Sequence, residues 1–308
     1  MDAAVIVSII ISVCAAATPL LLAATGELVV ERSGVLNLGV EGMMIMGAVA
    51  GFAAAQATGN PYLGAICALI VGALFSLLFA FLTLTLVTNQ VATGLALTIL
   101  GLGLSGMIGE GFVGQPGIKM HPLDIPLLSD IPLIGKLFFG QDLLFYISLA
   151  LVAGVAWFLF RTRAGLMLRS VGDSHTSAHA LGIPVIKIRY LAVMFGGACA
   201  GLAGAHLSLV QVPQWVEGMT AGKGWIALAL VVFASWRPGR VVAGAYLFGA
   251  VTLAQFHAQA SGIPIPAQFL SSLPYIATIV VLVIIAQNRR LTMMNTPASL
   301  GHPFVPDR

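Results

Sequence analysis

The chain has 308 residues, of which 59% are hydrophobic and only 8% are charged, and its formal net charge is +3. A soluble globular domain carries about 25% charged residues, so this composition excludes a water-soluble fold, and it also excludes a disordered chain, a collagen-like fibre and a nucleic-acid-binding protein. We therefore predict an all-α integral membrane protein, a polytopic helical bundle in which residues 1–308 form a single transmembrane domain.

Apolar runs long enough to cross a bilayer follow one another along the chain. A helix needs roughly 20 mostly apolar residues to cross about 30 Å of hydrocarbon. We predict about nine spans: Ala3 to Ala24, Val35 to Ala55, Tyr62 to Val87, Val91 to Ile108, Leu143 to Phe160, Tyr190 to Val212, Trp225 to Trp236, Val241 to Phe256 and Phe269 to Ala286. The N-terminus lacks a basic segment, which favours a retained first helix over a cleaved signal peptide.

The distribution of basic residues sets the orientation of these spans. Eleven of the 14 basic residues fall on one side, namely Arg161, Arg163, Arg169, Lys187, Arg189, Arg237, Arg240, Arg289, Arg290, Arg32 and Arg308. The other side holds Lys119, Lys136 and Lys223, together with the acids Glu110, Asp124, Asp130, Asp142 and Glu217. Because loops rich in Lys and Arg stay in the cytoplasm, we predict an N-terminus outside and a C-terminus inside.

An inverted repeat follows from this topology, because an offset of five spans pairs antiparallel helices. The second and seventh spans then occupy matching positions. The second is interrupted by Asn37, Gly39, Glu41 and Gly42, and the seventh has only twelve residues. The tetrapeptide Val-Glu-Gly-Met occurs at both places, residues 40–43 and 216–219. Broken or short spans at matching positions predict the substrate pathway.

Glu41 is the only acid inside a predicted span. An ionisable group at membrane depth costs at least about 2.5 kcal/mol unless it meets water, a partner or a helix end. Two interpretations remain open: Glu41 is a pathway residue beside Asn37, or it caps a helix N-terminus near the cytoplasmic interface.

Polar and glycine residues elsewhere in the spans have competing interpretations. Asn89 and Gln90 lie directly before the fourth span. They are either residues of the substrate pathway or a polar turn in a tight inside loop. Gly101, Gly103 and Gly106 match a dinucleotide-binding fingerprint, but they lie inside an uninterrupted apolar span, which excludes that function. The pairs Gly47/Gly51 and Gly197/Gly201 predict close approach of neighbouring helices.

The predicted cytoplasmic loop, residues 161–189, is much longer than the other inside loops. Its segment Asp173 to Leu181 predicts a short helix, capped by Ser174 or Asp173 and stopped by Gly182 and Pro184. The small side chains of this helix suit docking into a groove of a partner protein. The alternative is a solvated connector.

The segment before the seventh span offers polar and aromatic candidates. Residues 218–223 resemble a phosphate-binding loop but are one residue short, and no Ser or Thr follows Lys223. We expect no ATP site and no cofactor in this chain. Thr220 precedes Trp225, which is either an interfacial anchor or a stacking surface for a planar ligand. No constellation for a nucleophile or a metal is present, so we expect a protein that is not an enzyme.

The chain resembles the permease subunits of bacterial ABC importers for ribose, branched-chain amino acids and nucleosides, and within them the smaller nucleoside-type permease. The segments that carry the resemblance are Glu31 to Met44, Asn89 to Leu97, Arg163 to Gly172, Met219 to Leu228 and Asn295 to Gly301. The resemblance therefore covers nearly the whole chain.

This resemblance implies a subunit of the bacterial inner membrane that forms half of a translocation pathway. Its expected partners are a second, non-identical permease (a homodimer is the alternative), a cytoplasmic ATPase that binds ATP and Mg²⁺, an extracytoplasmic substrate-binding protein and membrane lipid, with no nucleic acid. The loop after the fifth span would carry the coupling helix, with the ATPase-coupling residues Arg169, Gly172, Asp173, Ser174, Ala178, Leu181 and Gly182. Where the family usually has an acidic or Asn-Pro stretch, this chain reads Asp-Ser-His-Thr-Ser-Ala-His.

The resemblance also implies a nucleoside or a related small polar solute as substrate. The expected pathway residues are Asn37, Glu41, Asn89, Gln90, Thr220 and Trp225. A self-contained channel or ion-coupled carrier is the competing hypothesis, in which Glu41 is the coupling acid.

Overall fold

The computed structural model describes residues 3–123, 134–260, 266–286 and 295–305. Within them the chain is helical, and its only β pairing consists of two isolated bridges. The helices are α1 Ala3–Arg32, α2 Val40–Thr58, α3 Pro61–Ala80, α4 Gln90–Gly109, α5 Ile134–Phe139, α6 Leu143–Arg161, α7 Arg163–Asp173, α8 His175–Ala180, α9 Val185–His206, α10 Lys223–Phe233, α11 Pro238–Ala260, α12 Ala267–Ser271 and α13 Leu273–Ala286. Turns of π-helix extend α3 to Thr85 and α9 to Gln211.

Each of the nine predicted spans contains a helix, which confirms an all-α membrane protein. Seven helices of the described chain are long and apolar enough to cross a bilayer. The helices of the two remaining spans are shorter, with 11 residues in α10 and 14 in α13. The short seventh span is therefore confirmed, whereas a count of nine full crossings is approximate.

Several boundaries differ from the prediction by a few residues, among them the start of α9, which lies at Val185 rather than Tyr190, and two differences affect the polar residues of the bundle. The first helix continues to Arg32 rather than stopping at Ala24, so Glu27 and Glu31 also lie in a membrane-spanning helix. The prediction that Glu41 is the only acid within a span is therefore wrong, because a hydropathy window ends at the first charged residues whereas the helix does not. The second helix begins only at Val40, so residues 35–39 are not helical.

Helix α9 lies at the centre of the bundle and packs against α1, α2 and α3. The contacts are made through glycines, as the small-residue pairs predict: a side chain at Gly47 would collide with the backbone of Gly201, and one at Gly72 would collide with the backbone of Gly197. Small residues let helix backbones approach closely where lipid gives no hydrophobic drive for association. The three helices α2, α3 and α9 thus pack backbone against backbone, and we call them the glycine-packed unit.

The bundle has two distinguishable ends. At one end, which we call the basic end, the side chain of Arg32 donates from Nε and Nη2 to the carbonyl of Trp236 at 3.2 and 3.0 Å. At the opposite end, residues 113–117 pair with 213–215, and Trp215 is buried against Gly109. The predicted charges Asp124, Asp130, Arg289, Arg290 and Arg308 lie outside the described residues.

Candidate functional site

A non-helical segment, residues 33–39, connects α1 to α2 and lies inside the protein. Its backbone is held by polar side chains of α4: the amide of Leu36 donates to Oε1 of Gln90 at 2.8 Å, and the hydroxyl of Thr98 donates to the carbonyl of Leu38 at 3.1 Å. A side chain at Gly94 would collide with the backbone of Leu38. Irregular backbone at membrane depth needs such internal partners, so this segment is built into the bundle rather than exposed to lipid.

Asn37 stabilises the turn that leads into α2. Its Oδ1 accepts a hydrogen bond from the amide of Gly39 at 2.9 Å, and its Nδ2 contacts the sulfur of Met43 at 3.5 Å. The side chain is fully buried. In this conformation the amide group of Asn37 is therefore engaged within the protein.

Glu41 connects the start of α2 to the start of α10. Its Oε1 accepts from the hydroxyl of Thr220 at 2.6 Å and from the amide of Gly222 at 2.8 Å, and its Oε2 accepts from the amide of Gly224 at 2.6 Å. The residue is 4% exposed. An anion is favoured at a helix N-terminus, where backbone amides lack partners within the helix. The carboxylate thus caps a helix, but that helix is α10 rather than its own.

The depth of this contact follows from the length of α10. Its 11 residues span about 16 Å between the Glu41 contact and the region of Trp236 at the basic end. The N-termini of α2 and α10 therefore meet about half a hydrocarbon thickness away from that end, rather than near the interface. A close approach is required here as well, since a side chain at Gly224 would collide with the backbone of Glu41.

The structure brings four of the six predicted pathway residues together and separates two from them. Asn37, Glu41, Gln90 and Thr220 are buried around the start of α2. Asn89 is exposed, and its Oδ1 accepts from the amide of Ala92 as the cap of α4. Trp225 is 47% exposed on the first turn of α10, so its ring faces away from the packed interior of this chain.

Two buried acids of α1 were missed by the sequence reasoning. Glu31 accepts a hydrogen bond from the indole Nε1 of Trp236 at 2.6 Å. Glu27, one turn earlier, is 1% exposed and lies close to the backbone of Asn37, but neither of its carboxylate oxygens forms a hydrogen bond of good geometry among the described residues. An ionisable group at membrane depth is a candidate for function. The spacing of two acids at i and i+4 directly before Arg32 was the available sequence signal.

The coupling segment is helical, as predicted, and lies at the basic end. Ser174 caps α8 by accepting from the amide of Ser177 at 3.3 Å. Gly182 ends the helix with φ +79° and donates to the carbonyl of His179 at 2.8 Å. A left-handed residue after a helix favours glycine. Of the two predicted caps, Ser174 and Asp173, the structure thus shows Ser174.

The predicted coupling residues divide into an exposed and a buried set. Leu181 is 81% exposed and Asp173 is exposed, whereas Ala178 is buried against Val171, Val185 and Phe304. The guanidinium of Arg169 lies over the ring of Phe160 at 5.2 Å, and a side chain at Gly172 would collide with the carbonyl of Arg32. Asp173, Leu181 and Gly182 are exposed and can touch a partner, Arg169 and Ser174 are half-buried, and Ala178 and Gly172 hold α7 and α8 on the bundle.

A groove of about 770 Å³ lies between α6, α7 and α9. Its lining is almost entirely apolar, with Lys187 as the charged exception. A polar solute would find few hydrogen-bond partners there, whereas acyl chains need none and suit such a lining. Within the described residues, no group of three or more His, Cys, Asp or Glu side chains is placed to hold a metal ion.

Comparison with known proteins identifies a family and several relatives that match most of the chain. The sequence profile of the family described as branched-chain amino acid transport system / permease component matches residues 9–286. Its relatives include a putative glucose ABC transporter permease protein of Haloferax volcanii, which is 44% identical over 87% of this chain and 88% of its own length. A nucleoside ABC transporter permease protein of Lactococcus lactis is 36% identical over 86% of this chain and 88% of its own. A guanosine ABC transporter permease protein of Bacillus subtilis is 34% identical over 99% of both chains.

Proposed function

Because the chain belongs to the family of permease components of branched-chain amino acid transport systems and is the permease subunit of an ABC transporter, we propose that it forms half of a pathway for a nucleoside or a related small polar solute. The observation that carries this proposal is the meeting of two helix N-termini at Glu41 inside the bundle. Discontinuous helices that meet at membrane depth are typical of substrate sites in transporters.

In our proposal the pathway runs along the surface of this chain rather than through the interior of its bundle. The polar groups of Asn37 and Glu41 are engaged internally, so they shape the site, and the half-exposed ring of Trp225 is the surface that meets the substrate. A planar base stacks on an indole ring, and a sugar packs against it through its apolar face. A second, non-identical permease subunit supplies the other wall, with a homodimer as the alternative.

The remaining partners follow from the same assignment. A separate ATPase binds ATP and Mg²⁺ and docks around α8, since Asp173 before this helix and Leu181 after it reach solvent. An extracytoplasmic binding protein delivers the substrate at the end of the bundle opposite the basic end, where residues 113–117 pair with 213–215. The apolar groove between α6, α7 and α9 takes membrane lipid. The protein lies in a bacterial inner membrane, with its N-terminus outside and its basic end in the cytoplasm.

Uptake measurements test the substrate assignment. In cells with the complete transporter, Trp225→Ala should lower guanosine uptake about tenfold, because a base stacked on an aromatic ring is stabilised by roughly 1–3 kcal/mol. Asn37→Ala should also lower uptake, since it removes the bond that fixes the turn before α2. The matched control is Trp157→Ala, which removes another exposed indole, on α6. Normal uptake in both variants, with the permease assembled, would reject the site; glucose uptake without guanosine uptake would reject the nucleoside class.

A second experiment tests ATPase docking. Leu181→Asp places a charge on the exposed tip of α8 and should abolish both transport and copurification of the ATPase. Leu181→Met keeps an apolar side chain and is the control. An ATPase that still copurifies with the Asp variant would contradict this docking surface.

The competing hypothesis of a self-contained carrier has one structural observation in its favour, the buried carboxylate of Glu27, which has no salt bridge among the described residues. The relatives that match this chain over most of its length are named as ABC transporter permeases, which favours a subunit of an ABC transporter instead. Purified protein in liposomes without an ATPase distinguishes the two. We expect no substrate flux, and flux driven by an ion gradient and lost in Glu27→Gln would favour the carrier.

A further inference from the structure

The C-terminal segment, residues 295–305, returns to the basic end and connects two distant parts of the chain. The amide of Ser299 donates to the carbonyl of Gly172 at 2.8 Å, and its hydroxyl accepts from the amide of His175 at 3.3 Å. The amide of Gly301 donates to the carbonyl of Gly34 at 3.1 Å. One short segment is therefore bonded both to the start of α8 and to the non-helical segment after α1. We call residues 295–305 the strap.

An aromatic ring near the end of the strap packs against α8. Phe304 lies 5.2 Å from the ring of His175 and 5.3 Å from the ring of His179, measured between centroids. It also belongs to the apolar cluster that buries Ala178. The strap thus holds α8 by a side-chain contact as well as by backbone bonds.

Arg189 lies at the centre of this assembly and is 1% exposed. Its guanidinium donates from Nε to the carbonyl of Ser33 at 3.1 Å and from Nη1 to the carbonyl of His302 at 3.3 Å, and its Nη2 contacts Nδ1 of His175 at 3.2 Å. These three partners belong to the segment after α1, to the strap and to α8. No carboxylate among the described residues forms a salt bridge with it. A planar fork with fixed directions is suited to hold three elements in one geometry.

The same bonds lead toward the candidate site. Ser33 is the first residue of the segment 33–39, in which Asn37 fixes the turn into α2. Glu41, in the first turn of α2, then contacts the start of α10. A displacement of α8 therefore has a continuous bonded route to the paired helix N-termini. Without Arg189 and the strap, the short α8 would be joined to the bundle mainly by its own flanking turns and by Ala178.

We propose that Arg189 and the strap are the positioning elements that transmit movement of α8 to the segment 33–39. This inference rests on the proposed docking of an ATPase on α8. It assigns Arg189 a role that needs no contact with substrate, ATP or ATPase. It also gives the motif Asn295 to Gly301, which lies far from α8 in sequence, a mechanical purpose.

The experiment measures coupling in the complete transporter, reconstituted in liposomes, for Arg189→Gln and Phe304→Ala. Both variants should keep the ATPase bound and hydrolysing ATP, while substrate transported per ATP falls about tenfold, the range expected when a residue in a coupling network is lost. Arg189→Lys should recover only part of this ratio, because one ammonium cannot reach three acceptors in fixed directions. Val305→Ala, at an exposed position of the same segment, should leave it unchanged.

The outcomes separate the inference from the proposed function. An unchanged ratio in either folded variant would overturn the inference, and Phe304→Ala decides the matter if Arg189→Gln does not fold. Loss of the ATPase from Phe304→Ala would also overturn it, since the strap would then be part of the docking surface. A wild-type permease that binds no ATPase would instead reject the proposed function, before any variant is compared.

Discussion

Replacement of Glu41 by Gln tests the contact between α2 and α10. The substitution keeps the shape of the side chain and one carbonyl oxygen, which can still accept from Thr220 and Gly222. The second oxygen becomes an NH₂ group that faces the amide of Gly224, where the carboxylate accepted at 2.6 Å. One charge-assisted hydrogen bond is lost, and two donors are left opposite each other.

The expected magnitude follows from the burial of this contact. A buried donor left without a partner costs about 1–3 kcal/mol. For a protein of 308 residues that corresponds to a fall in apparent melting temperature of roughly 1.5–4.5 °C. Glu41→Ala should destabilise the protein more, because it leaves the hydroxyl of Thr220 and the amides of Gly222 and Gly224 all without an acceptor.

The assay is thermal unfolding of the purified protein in detergent, combined with substrate uptake by the complete transporter. Glu217→Gln is the matched control, because Glu217 is an exposed acid in the second copy of the tetrapeptide Val-Glu-Gly-Met, residues 216–219. We expect the control to melt like the wild type. Equal melting temperatures for Glu41→Gln and Glu217→Gln would refute the structural role of the Glu41 carboxylate.

Two further predictions concern the basic end. Gly172→Ala should destabilise the protein by about 1–3 kcal/mol, because the new Cβ collides with the carbonyl of Arg32, whereas Gly111→Ala, with no atom within 4 Å of a new Cβ, should not; equal melting temperatures would contradict the close packing. Burial and the neighbouring Arg189 lower the pKa of His175, so the unfolded chain takes up this proton first, and stability should fall as the pH drops below about 6.5. His175→Gln should remove that part of the pH dependence, and an unchanged melting profile between pH 7.5 and 5.5 would refute it.

The order and positions of the helices could be predicted because lipid leaves few alternatives. Backbone groups in hydrocarbon must bond within a helix, so a run of apolar residues is itself the signal. The short α10 and the interruption before Val40 were visible as a short run and as a cluster of Asn37, Gly39 and Gly42. The glycine contacts between α2 and α9 were also predicted, since Gly47 and Gly201 lie in small-residue pairs.

The partners of the polar groups could not be predicted in the same way. The bond from Gly224 to Glu41 joins residues 183 positions apart, and no periodic pattern reports such a contact. The end of α1 was misplaced for a related reason: Glu27 and Glu31 are buried by neighbouring helices, which a hydropathy sum does not include. Arg189 was assigned to a basic cytoplasmic loop, because its charge alone does not reveal three acceptors within the fold.

The glycine-packed unit restricts how a transporter of this design alternates between its two openings. Backbones in contact at Gly47, Gly72 and Gly201 leave no side-chain layer at these points that could repack, so we expect α2, α3 and α9 to move together as one rigid body. The change in accessibility then falls on helices outside that body, such as α10 and α11. Distances between spin labels placed on α3 and α9 should stay constant through the transport cycle, while distances from α3 to α11 change.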